Sequence, residues 1–480
     1  MPISSSHPDH DKRAGQWKRC RDIFKGVDAV KGRMEKMGRA IARSIDTSSY
    51  IVRGRDLVDN TAHAYLPPLS KNHTGYASYL ARAYLYPAVR RTITSLVGAV
   101  YRRNPEIEGV DALGEWVNHV DGINMTLEGA ARRILMEVLV SGRCPVSVMY
   151  SPTGGLKWRI YDAEDLINWK EDGDKAQWVV FRESINVTSE DDPFLSVPTD
   201  FYRYVGQEGG VTTRLYNEAG EVVSEGEEGD SVGRSLSFLP IVVVNASREG
   251  LKTERPPLLD LVDVNLSHYM GSADREHALH WSALPTPWVS GVSAEEAKKV
   301  QIGGTALITL PEMGKAGMLE VSGAGYTAMK EALDEKVQHM ASLGARLIAP
   351  EHRQAETAEA VRIKSGGDAN NLYSILVEVE KAMVSLLKLT GDRFGVSVDP
   401  TFTFNRDLYD ARLSSEDVDK LIKLRSTRNL SGKTLHTALR DGEWVGANNS
   451  YEEELALIKA EQILAEPEPE GPDAEENVDD

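Results

Sequence analysis

Residues 256–283 read "PPLLDLVDVNLSHYMGSADREHALHWSA", and their apolar side chains recur at helical spacing. Pro257 suits a first helical turn. The apolar stripe consists of Leu258, Val262, Leu266, Tyr269 and Ala273. At about 1.5 Å per residue the predicted helix is roughly 40 Å long. The stretch therefore predicts a long helix in the middle of the chain.

A second long helix is predicted over 326–347. Between the two helices, "PTPWVSG", "TALITL" and "GMLEVSG" favour short strands, and "SAEEAKKV" favours a helix. Two long helices that flank a compact insertion of about 40 residues are the most distinctive topological prediction from this sequence.

The regions on either side of these helices differ in their periodicity. Residues before 143 favour helices, among them one kinked helix from Tyr76 with Pro87 inside it, and one at 126–140 capped by Thr126. Residues from about 143 to 247 form short β-branched and aromatic runs that predict antiparallel strands, with an exposed acidic loop at 224–235. The predicted fold class is α+β.

The C-terminal part is predicted to be helical. A helix resumes near residue 356, is interrupted at Gly366-Gly367 and finishes over 370–390. A small helical subdomain follows at 400–465, and its last helix begins with a Ser450/Glu453 capping box. Residues 466–480 hold eight acids and no base, a composition typical of a disordered, solvated tail.

Composition limits the class of protein. The chain has 480 residues, 41% of them hydrophobic, and a net charge of −18. Its two cysteines argue against a disulfide scaffold and for a reducing compartment. The first residues are polar, and no run approaches about 18 apolar residues, so neither a leader nor a membrane span is predicted. An acidic protein is also unlike one that grips DNA tightly, although it could surround DNA loosely.

The N-terminal segment departs from this acidic balance. Residues 1–55 hold thirteen Lys or Arg against six Asp or Glu. These cations could contact nucleic acid, but apolar residues are interleaved among them, which favours a solvated helix face.

A partial nucleotide-binding motif occurs near the C-terminus, where residues 426–435 read "STRNLSGKTL". A phosphate-binding loop also requires a glycine at position 427, which is Thr427, and a preceding buried strand, where the spacing favours a helix. The alternative is that Ser431 caps a short helix that Gly442 ends.

No catalytic motif with adequate spacing occurs in the sequence. His277 and His280, three residues apart beside Glu276, could place two metal ligands on one helix face, but no matched third ligand accompanies them. We therefore expect no cofactor, no metal and no enzymatic activity.

The order of the parts, together with several phrases, resembles the portal proteins of tailed bacteriophages. The phrases are "YDAEDLINW" at 161–169, "PPLLDLVDVNLSHY" at 256–269 leading to "HWSALPTPWVSG" at 280–291, "LGARLIAPEHRQAETAEAVRI" at 343–363 and "FNRDLYDARLSSEDVDKL" at 404–421. The resemblance covers most of the chain and leaves out the first residues and the acidic tail.

The resemblance implies a homo-oligomeric ring, commonly of about twelve subunits, at one capsid vertex of the virion. Double-stranded DNA would pass through the ring during packaging and ejection. The implied partners are the large terminase subunit, the major capsid or scaffold protein and a head-completion or adaptor protein, and no membrane is involved. The implied parts are a wing at 1–255, a stem helix at 256–283, a clip at 284–325, a second stem helix at 326–348, a tunnel loop at 349–356, a long broken wing helix at 357–395, and a helical crown at 400–465 before the acidic tail at 466–480.

The resemblance also suggests where contacts occur. Arg353 and Gln354 in the implied tunnel loop, and Arg275 in the first stem helix, are the DNA-channel candidates, although Arg353 could instead pair with Glu351 or Glu356. Lys298, Lys299 and Trp288 are the candidates for docking partners at the clip. For the two lysines a solvated helix is the alternative, and for Trp288 packing within or between clips.

Two other functions remain open at the level of sequence. A metal-dependent hydrolase with an acidic cleft would lose activity on chelation and would be a monomer or dimer. The other is a different phage morphogenesis component, such as a capsid or minor head protein. The order of helix, insertion and helix discriminates against a capsid protein, which is an argument by fold analogy.

Overall fold

The computed structural model is a mixed α and β protein that divides into two units, Met1–Arg406 and Asp407–Asp480. The structure describes residues 2–31, 65–66, 76–151, 155–173, 175–188, 194, 196–207, 209–236, 238–247, 250–282, 286–293, 313–319, 324–344, 358–406, 415–441, 444–445 and 450–465.

The first helices of the larger unit pack around one buried helix. They are α1 (Pro8–Lys25), α2 (Val27–Val30), α3 (Tyr76–Arg82), α4 (Ala88–Val100) and α5 (Leu127–Ser141), with a 3₁₀ stretch at Asp111–Asn118. Helix α5 is the central one, and it contacts α1 and α4. Ala130, Ile134 and Val138 on α5 are completely buried. As predicted, Thr126 caps α5, because its Oγ1 accepts a hydrogen bond from the Gly129 amide at 3.1 Å.

The prediction of one kinked helix from Tyr76 to Val100 is wrong. Helices α3 and α4 are separate, and residues 83–87 between them are not helical. Pro87 lies at the N-cap of α4 instead of inside a helix. A proline lacks the amide that a helix interior requires, and it disfavours helical backbone in the residue before it, so it starts a helix more readily than it continues one.

Twelve strands form four antiparallel sheets in the described part of the chain. They are β1 (Glu106–Glu108), β2 (Arg143–Tyr150), β3 (Leu156–Ile160), β4 (Leu166–Asp172), β5 (Lys175–Thr188), β6 (Ser196–Gln207), β7 (Val211–Tyr216), β8 (Val222–Glu228), β9 (Ile241–Asn245), β10 (Thr286–Ser290), β11 (Lys315–Leu319) and β12 (Thr401–Thr403). The sheet orders are β1-β12, β10-β11, β3-β2-β9 and β4-β5-β6-β7-β8. A short 3₁₀ turn, Ala163–Asp165, joins β3 to β4.

The β-branched and aromatic runs that predicted antiparallel strands, at 145–151, 156–162, 176–184, 201–206, 212–220 and 241–247, fall on β2, β3, β5, β6, β7 and β9. Strand β8 was predicted to be part of an exposed acidic loop. Its residues from Val222 to Glu227 are exposed, but the strand forms the edge of the five-stranded sheet. Charged side chains are well suited to an edge strand, where one face and one row of backbone groups meet water. Because these residues are mostly acidic, the sequence pattern indicated a loop and not a strand.

The five-stranded sheet covers an apolar cluster that includes Trp169, Phe181 and Val205. At its margin, the Glu183 carboxylate accepts hydrogen bonds from Arg203 Nε and Tyr161 Oη, both at 2.7 Å, and from Arg159. Burial would raise the pKa of Glu183, but the hydrogen bonds and charges of these partners lower it to about 2. Glu183 is therefore a buried carboxylate that stays ionised.

A similar network joins α1 to α5. Arg21 bridges Glu137 and Glu164, with N–O distances of 2.6 and 2.5 Å. Both carboxylates are shielded from water, so their pairing with one guanidinium satisfies charges that would otherwise be costly to bury. The N-terminal helix is thus attached to the body of the unit by charge as well as by apolar contact.

Two long helices follow the β region. Helix α6 spans Leu259–Ser282 and α7 spans Ala324–Ser342, with the β10-β11 hairpin between them in the chain. The structure describes two strands of this insertion, while "TALITL" and nearly all of "SAEEAKKV" lie outside the described residues.

Helix α8 spans Ala358–Phe394, 37 residues in all. The predicted interruption at Gly366-Gly367 is wrong, because the helix runs through both glycines. Each glycine costs about 1 kcal/mol relative to alanine in a helix interior, which is a small cost in a helix of this length. The second half of α8 is buried, and Arg393 near its end is completely buried against Tyr150 and Glu228.

The smaller unit contains α9 (Ser415–Ser426), α10 (Gly432–Asp441) and α11 (Tyr451–Ala465). The predicted cap of α10 is confirmed, since Ser431 Oγ accepts a hydrogen bond from the Thr434 amide at 3.0 Å. The predicted capping box of α11 is also confirmed. The Ser450 amide donates to Glu453 Oε2 at 2.9 Å, and the Glu453 amide donates to Ser450 Oγ at 3.2 Å.

Candidate functional site

The candidate site is built from the two long helices and the hairpin between them. Helices α6 and α7 pack antiparallel. Near one end Tyr326 Oη donates to the carbonyl of Ala278 at 3.3 Å, and further along Lys336 Nζ donates to the carbonyl of Ser267 at 3.1 Å. The order of helix, hairpin and antiparallel helix follows directly from these contacts.

One end of the helix pair is anchored in the body of the unit. Asn265 Nδ2 donates to the carbonyl of Tyr86 at 2.9 Å, and Ser272 Oγ donates to the carbonyl of Tyr84 at 2.7 Å. These carbonyls belong to the non-helical segment between α3 and α4, where backbone groups need partners outside a regular helix. The break before Pro87 thus supplies acceptors that position α6.

The small residues of α6 serve contacts within this chain. A Cβ at Gly271 would lie 3.2 Å from Leu333 Cδ2 of α7, and Ala273 is completely buried. Their small size therefore allows α6 to approach α3, α4 and α7 of the same chain.

The opposite end of the helix pair extends beyond the buried core of the unit and contacts it along one side, through Tyr79 and Arg82 of α3. No residue of α6 from Asp274 to His280, and none of α7 from Gly325 to Ala332, is buried, although α6 before Asp274 contributes six apolar residues to the core. We call residues 274–282, β10, β11 and 324–332 the arm. Its described surface carries partly exposed Trp288 and Met329. The arm is thus available for contacts beyond this chain.

At the tip of the arm, β10 and β11 form an antiparallel hairpin in which Trp288 is directly opposite Gly317. A Cβ at Gly317 would lie 3.0 Å from Trp288 Nε1, so the indole lies across the position where a side chain would be. The glycine makes room for the indole, and 43% of Trp288 remains exposed. This is the packing within the insertion that the sequence suggested for Trp288, and it leaves one face of the ring system exposed.

The acidic residues of α6 have partners within the chain. Asp260 pairs with Arg255, Asp263 lies 3.7 Å from Arg19, and Asp274 accepts a hydrogen bond from Tyr79 Oη. Arg275 lies 3.4 Å from Glu276. Two of these carboxylates therefore stabilise the attachment of α6 to α1 and α3.

His277 also contacts α3. Its Nδ1 lies 3.1 Å from Arg82 Nη2, and its ring packs edge-on to Tyr79 at a centroid distance of 5.2 Å. Burial, and then the charge of Arg82, lower the pKa of His277. Within the described ranges, no group of three His, Cys, Asp or Glu side chains is arranged to hold a metal ion.

Of the predicted site residues, the structure describes Arg275 and Trp288. Arg275 is half-buried on the arm beside Glu276, and Trp288 lies at its tip. Arg353, Gln354, Lys298 and Lys299 lie outside the described residues. Sequence reasoning missed Tyr79 and Arg82, which precede their partners on α6 by 195 residues. No local pattern links residues so far apart.

A family model described as a domain of unknown function, DUF4055, matches residues 257–392. These residues include α6, the hairpin, α7 and nearly all of α8. No curated protein matches the sequence. None of the helices that the structure describes has both the length and the apolar character needed to cross a membrane.

Several solved structures are similar to the chain. A chain in the virion of a native gene transfer agent (GTA) particle is 12% identical, with a TM-score of 0.37, and the match covers 81% of this chain and 94% of that one. A chain in the neck of the empty GTA particle, computed with C6 symmetry, is 10% identical with a TM-score of 0.41. A chain in the neck of the native GTA particle, computed with C12 symmetry, is 11% identical with a TM-score of 0.41. Both neck matches cover 76% of this chain and 93% of theirs.

Proposed function

We propose that this protein is the subunit of a phage portal: a ring at one capsid vertex through which double-stranded DNA is packaged and ejected. The observation that carries the proposal is the arm, a pair of antiparallel helices that ends in a hairpin and extends beyond the buried core of the unit. Of the phrases that resemble portal proteins, the one at 280–291 falls on the arm, and the one at 256–269 lies in the helix that leads to it.

The exposure of the arm supports assembly into a ring. A pair of helices on its own buries little apolar surface. Most α7 residues between Gly325 and His339 are exposed. Met270 and Met329 are each 38% exposed on this pair. In a ring, a neighbouring subunit would cover such side chains. The contact would be head-to-tail, and its repetition would close the ring.

The charge of α7 supports a conduit more than a DNA clamp. Its exposed surface carries Glu331, Asp334 and Glu335 against Lys330, and Lys336 donates a hydrogen bond to the carbonyl of Ser267. Each lysine or arginine that contacts a phosphate adds affinity and slows sliding, so a wall with few cations lets DNA move. In this proposal Arg275, Arg353 and Gln354 make the sparse contacts to DNA.

The tip of the arm would dock partners. Trp288 is held by Gly317 with one face exposed, which suits an aromatic anchor at a protein interface. We propose that this hairpin, with Lys298 and Lys299, receives the large terminase subunit during packaging and a head-completion or adaptor protein afterwards. The capsid or scaffold protein would contact another part of the ring, and the chain itself would have no enzymatic activity.

The mass and shape of the purified protein test the proposal. Native mass spectrometry should give a species near twelve times the 52.9 kDa protomer, and negative-stain images should show a ring with a central hole. A protein that stays monomeric at high concentration, and also with capsid components present, would overturn the proposal.

A variant then tests whether the arm forms the ring. Met329→Asp should reduce the ring fraction at least about tenfold, because it places a charge in the expected contact. The melting temperature of the subunit should change little, since Met329 is partly exposed. Lys330→Ala, at the next position on α7, is the control. Equal ring yields from both variants would exclude this face of α7 from the contact.

A further inference from the structure

One buried arginine of the larger unit has no counter-charge among the described residues. Arg143, the first residue of β2, has no exposed surface. None of its guanidinium nitrogens finds a hydrogen-bond acceptor in the part of the chain that the structure describes. An arginine side chain carries five N–H donors, and a buried charge is costly unless it is paired and hydrogen-bonded. Arg143 therefore needs a negative partner that these residues do not supply.

Other shielded arginines of the chain are paired with acids. Arg393, which is also completely buried, pairs with Glu228, and Arg21 bridges two carboxylates. Burial lowers the pKa of Arg143 to about 9, and the charge of Glu171 opposes this shift without forming an ion pair in the described part of the chain. The Arg143 side chain is thus charged at neutral pH.

Two indole rings lie beside the guanidinium group. Its Cζ lies 4.7 Å from the centre of the Trp169 ring and 5.8 Å from that of the Trp17 ring. An indole face attracts a cation, but it provides no acceptor for the N–H groups at the edge of the guanidinium. Trp17 is completely buried, and its Nε1 also lacks an acceptor among the described residues. Donors of two neighbouring side chains are therefore unpartnered in the same region.

The side chains around Arg143 come from separate elements. Trp17 belongs to α1, Trp169 to β4, and Asn245 of β9 lies directly opposite Arg143. Residues opposite each other in an antiparallel pair share one face of the sheet. Asn245 Oδ1 is a buried acceptor without a donor among the described residues, but it has no charge to neutralise the guanidinium. A ligand at this point would join α1 to both of the larger sheets.

We propose that Arg143 and Trp17 bind a small monovalent anion, such as chloride or bicarbonate, where α1, β2 and β4 meet. The guanidinium would donate to the anion from its edge, and the Trp17 indole would donate from Nε1. The anion is small because neither side chain has exposed surface, so a slight displacement of α1 has to admit it. It is monovalent because a second negative charge would itself be buried without a partner.

Thermal unfolding of the full-length chain tests the site. Gluconate, which is too bulky to enter, is replaced stepwise by chloride or bicarbonate at one pH and ionic strength. The melting temperature should rise and then saturate, because a ligand that binds only the folded state stabilises it by mass action. The anion that acts at the lower concentration identifies the preferred ligand. A melting temperature that responds to neither anion would overturn the proposal.

Arg143→Met provides the first comparison. Methionine keeps an unbranched side chain without the charge, so the response to both anions should disappear. In gluconate the variant should be at least as stable as the unmodified protein, because it removes an unpaired buried charge. An equal response of both proteins would indicate an adventitious ion only. Water at the guanidinium, or a turn of Arg143 toward Glu171, would also give both proteins the same response, and each would overturn the proposal.

Trp17→Phe tests the second donor and does not depend on the fate of Arg143→Met. It keeps an aromatic ring and removes the N–H group, so the affinity for chloride should fall about tenfold. Trp116→Phe is the matched control, because Trp116 Nε1 already donates to the carbonyl of Leu156 at 2.8 Å. Broadening of the chloride NMR line measures binding directly. Equal affinities in the two variants would overturn the assignment of Trp17 as a donor to the anion.

The outcomes are independent of the proposed function. The site uses no residue of the arm, and neither measurement requires a ring. Rings from a protein that does not respond to either anion would overturn the anion site and leave the portal proposal standing. Anion binding to a protein that never forms rings would support the site and count against the portal.

Discussion

Gly271 of α6 lies against Leu333 of α7, so closely that a Cβ at the glycine would be 3.2 Å from Leu333 Cδ2. The glycine therefore sets how near the two helices of the arm approach each other. Gly271→Leu should separate them and lower the free energy of unfolding by about 1 to 3 kcal/mol, because overpacking forces side chains and backbone to shift. Thermal unfolding followed by circular dichroism measures the change.

A glycine in open space provides the control. Gly98 lies in α4 with nothing within 4 Å of the Cβ it lacks. Gly98→Ala should raise the free energy of unfolding by about 0.5 to 1 kcal/mol through helix propensity alone. If Gly271→Leu were as stable as the unmodified protein, the helices would not be held by this contact.

Glu183 should make the free energy of unfolding depend on pH in the acidic range. The pKa of this carboxyl falls from an ordinary value of 4.5 to about 2 in the folded protein. A depressed pKa of a carboxyl contributes stability that is present above about pH 4.5 and is lost as the pH falls toward 2. Urea unfolding at pH 7, 4 and 3 should show this loss, and Glu183→Gln should be less stable at pH 7 by about 2 to 3 kcal/mol and less sensitive to acid.

An exposed ion pair in the same sheet distinguishes this effect from a general response to acid. Glu225 pairs with Arg214 at 2.6 Å, and 53% of its side chain is exposed. Glu225→Gln should change the free energy of unfolding by less than about 1 kcal/mol at any of these pH values. Identical acid sensitivity in Glu183→Gln and the unmodified protein would rule out the assigned role.

Substitution of Arg393 should destabilise the protein more than most substitutions in α8. Its side chain is completely buried, it pairs with Glu228, and its guanidinium lies 4.9 Å from the centre of the Tyr150 ring. Arg393→Leu should lower the free energy of unfolding by about 3 to 5 kcal/mol, because Glu228 would keep a shielded charge without its partner. Urea unfolding measures the loss.

Two further variants test the cause. Arg255→Leu removes an ion pair with Asp260 in which both side chains are more than half exposed, and it should cost less than about 1 kcal/mol. Adding Glu228→Leu to Arg393→Leu should recover part of the lost stability, because no charge then remains unpaired. No recovery would point to lost packing of the arginine instead.

The "SGKT" stretch should act as a helix start. Ser431→Ala should destabilise the smaller unit by about 1 kcal/mol, because Ser431 Oγ caps α10. Lys433→Ala should cost less, since its ion pair with Glu452 is exposed. Calorimetric titration with ATP and Mg²⁺ should give no heat of binding, and saturable binding that Lys433→Ala abolishes would restore the nucleotide interpretation.

Local sequence patterns predicted local structure well in this chain. Thr126, Ser431 and Ser450 each bond to an amide three residues away, so the signal and its partner lie in one short window. The long helices were equally visible, because their apolar residues repeat at helical spacing. The glycine pair in α8 misled the prediction, since a weak local preference lost to the surrounding helix.

The contacts that position the candidate site were not predictable in this way. Tyr79 reaches Asp274 and Arg82 reaches His277 across 195 residues, while Arg393 pairs with Glu228 across 165. The composition shows that charged residues are plentiful, but it does not show which of them form pairs. The contact of Gly271 was equally hidden, because its partner Leu333 lies on a different helix.

The pairing of β1 with β12 has a consequence for how the protein is made in a cell. Next to this pairing, Asn405 Nδ2 donates to the carbonyl of Ala99, 306 residues earlier in the chain. At about 5 to 20 residues per second, a ribosome needs about 15 to 60 s to synthesise that interval. Until then β1 lacks its partner strand and α4 lacks its contact with Asn405, so the larger unit can finish folding only after residues 401–405 have emerged. During that interval the unpaired edge of β1 is open to pairing with another chain.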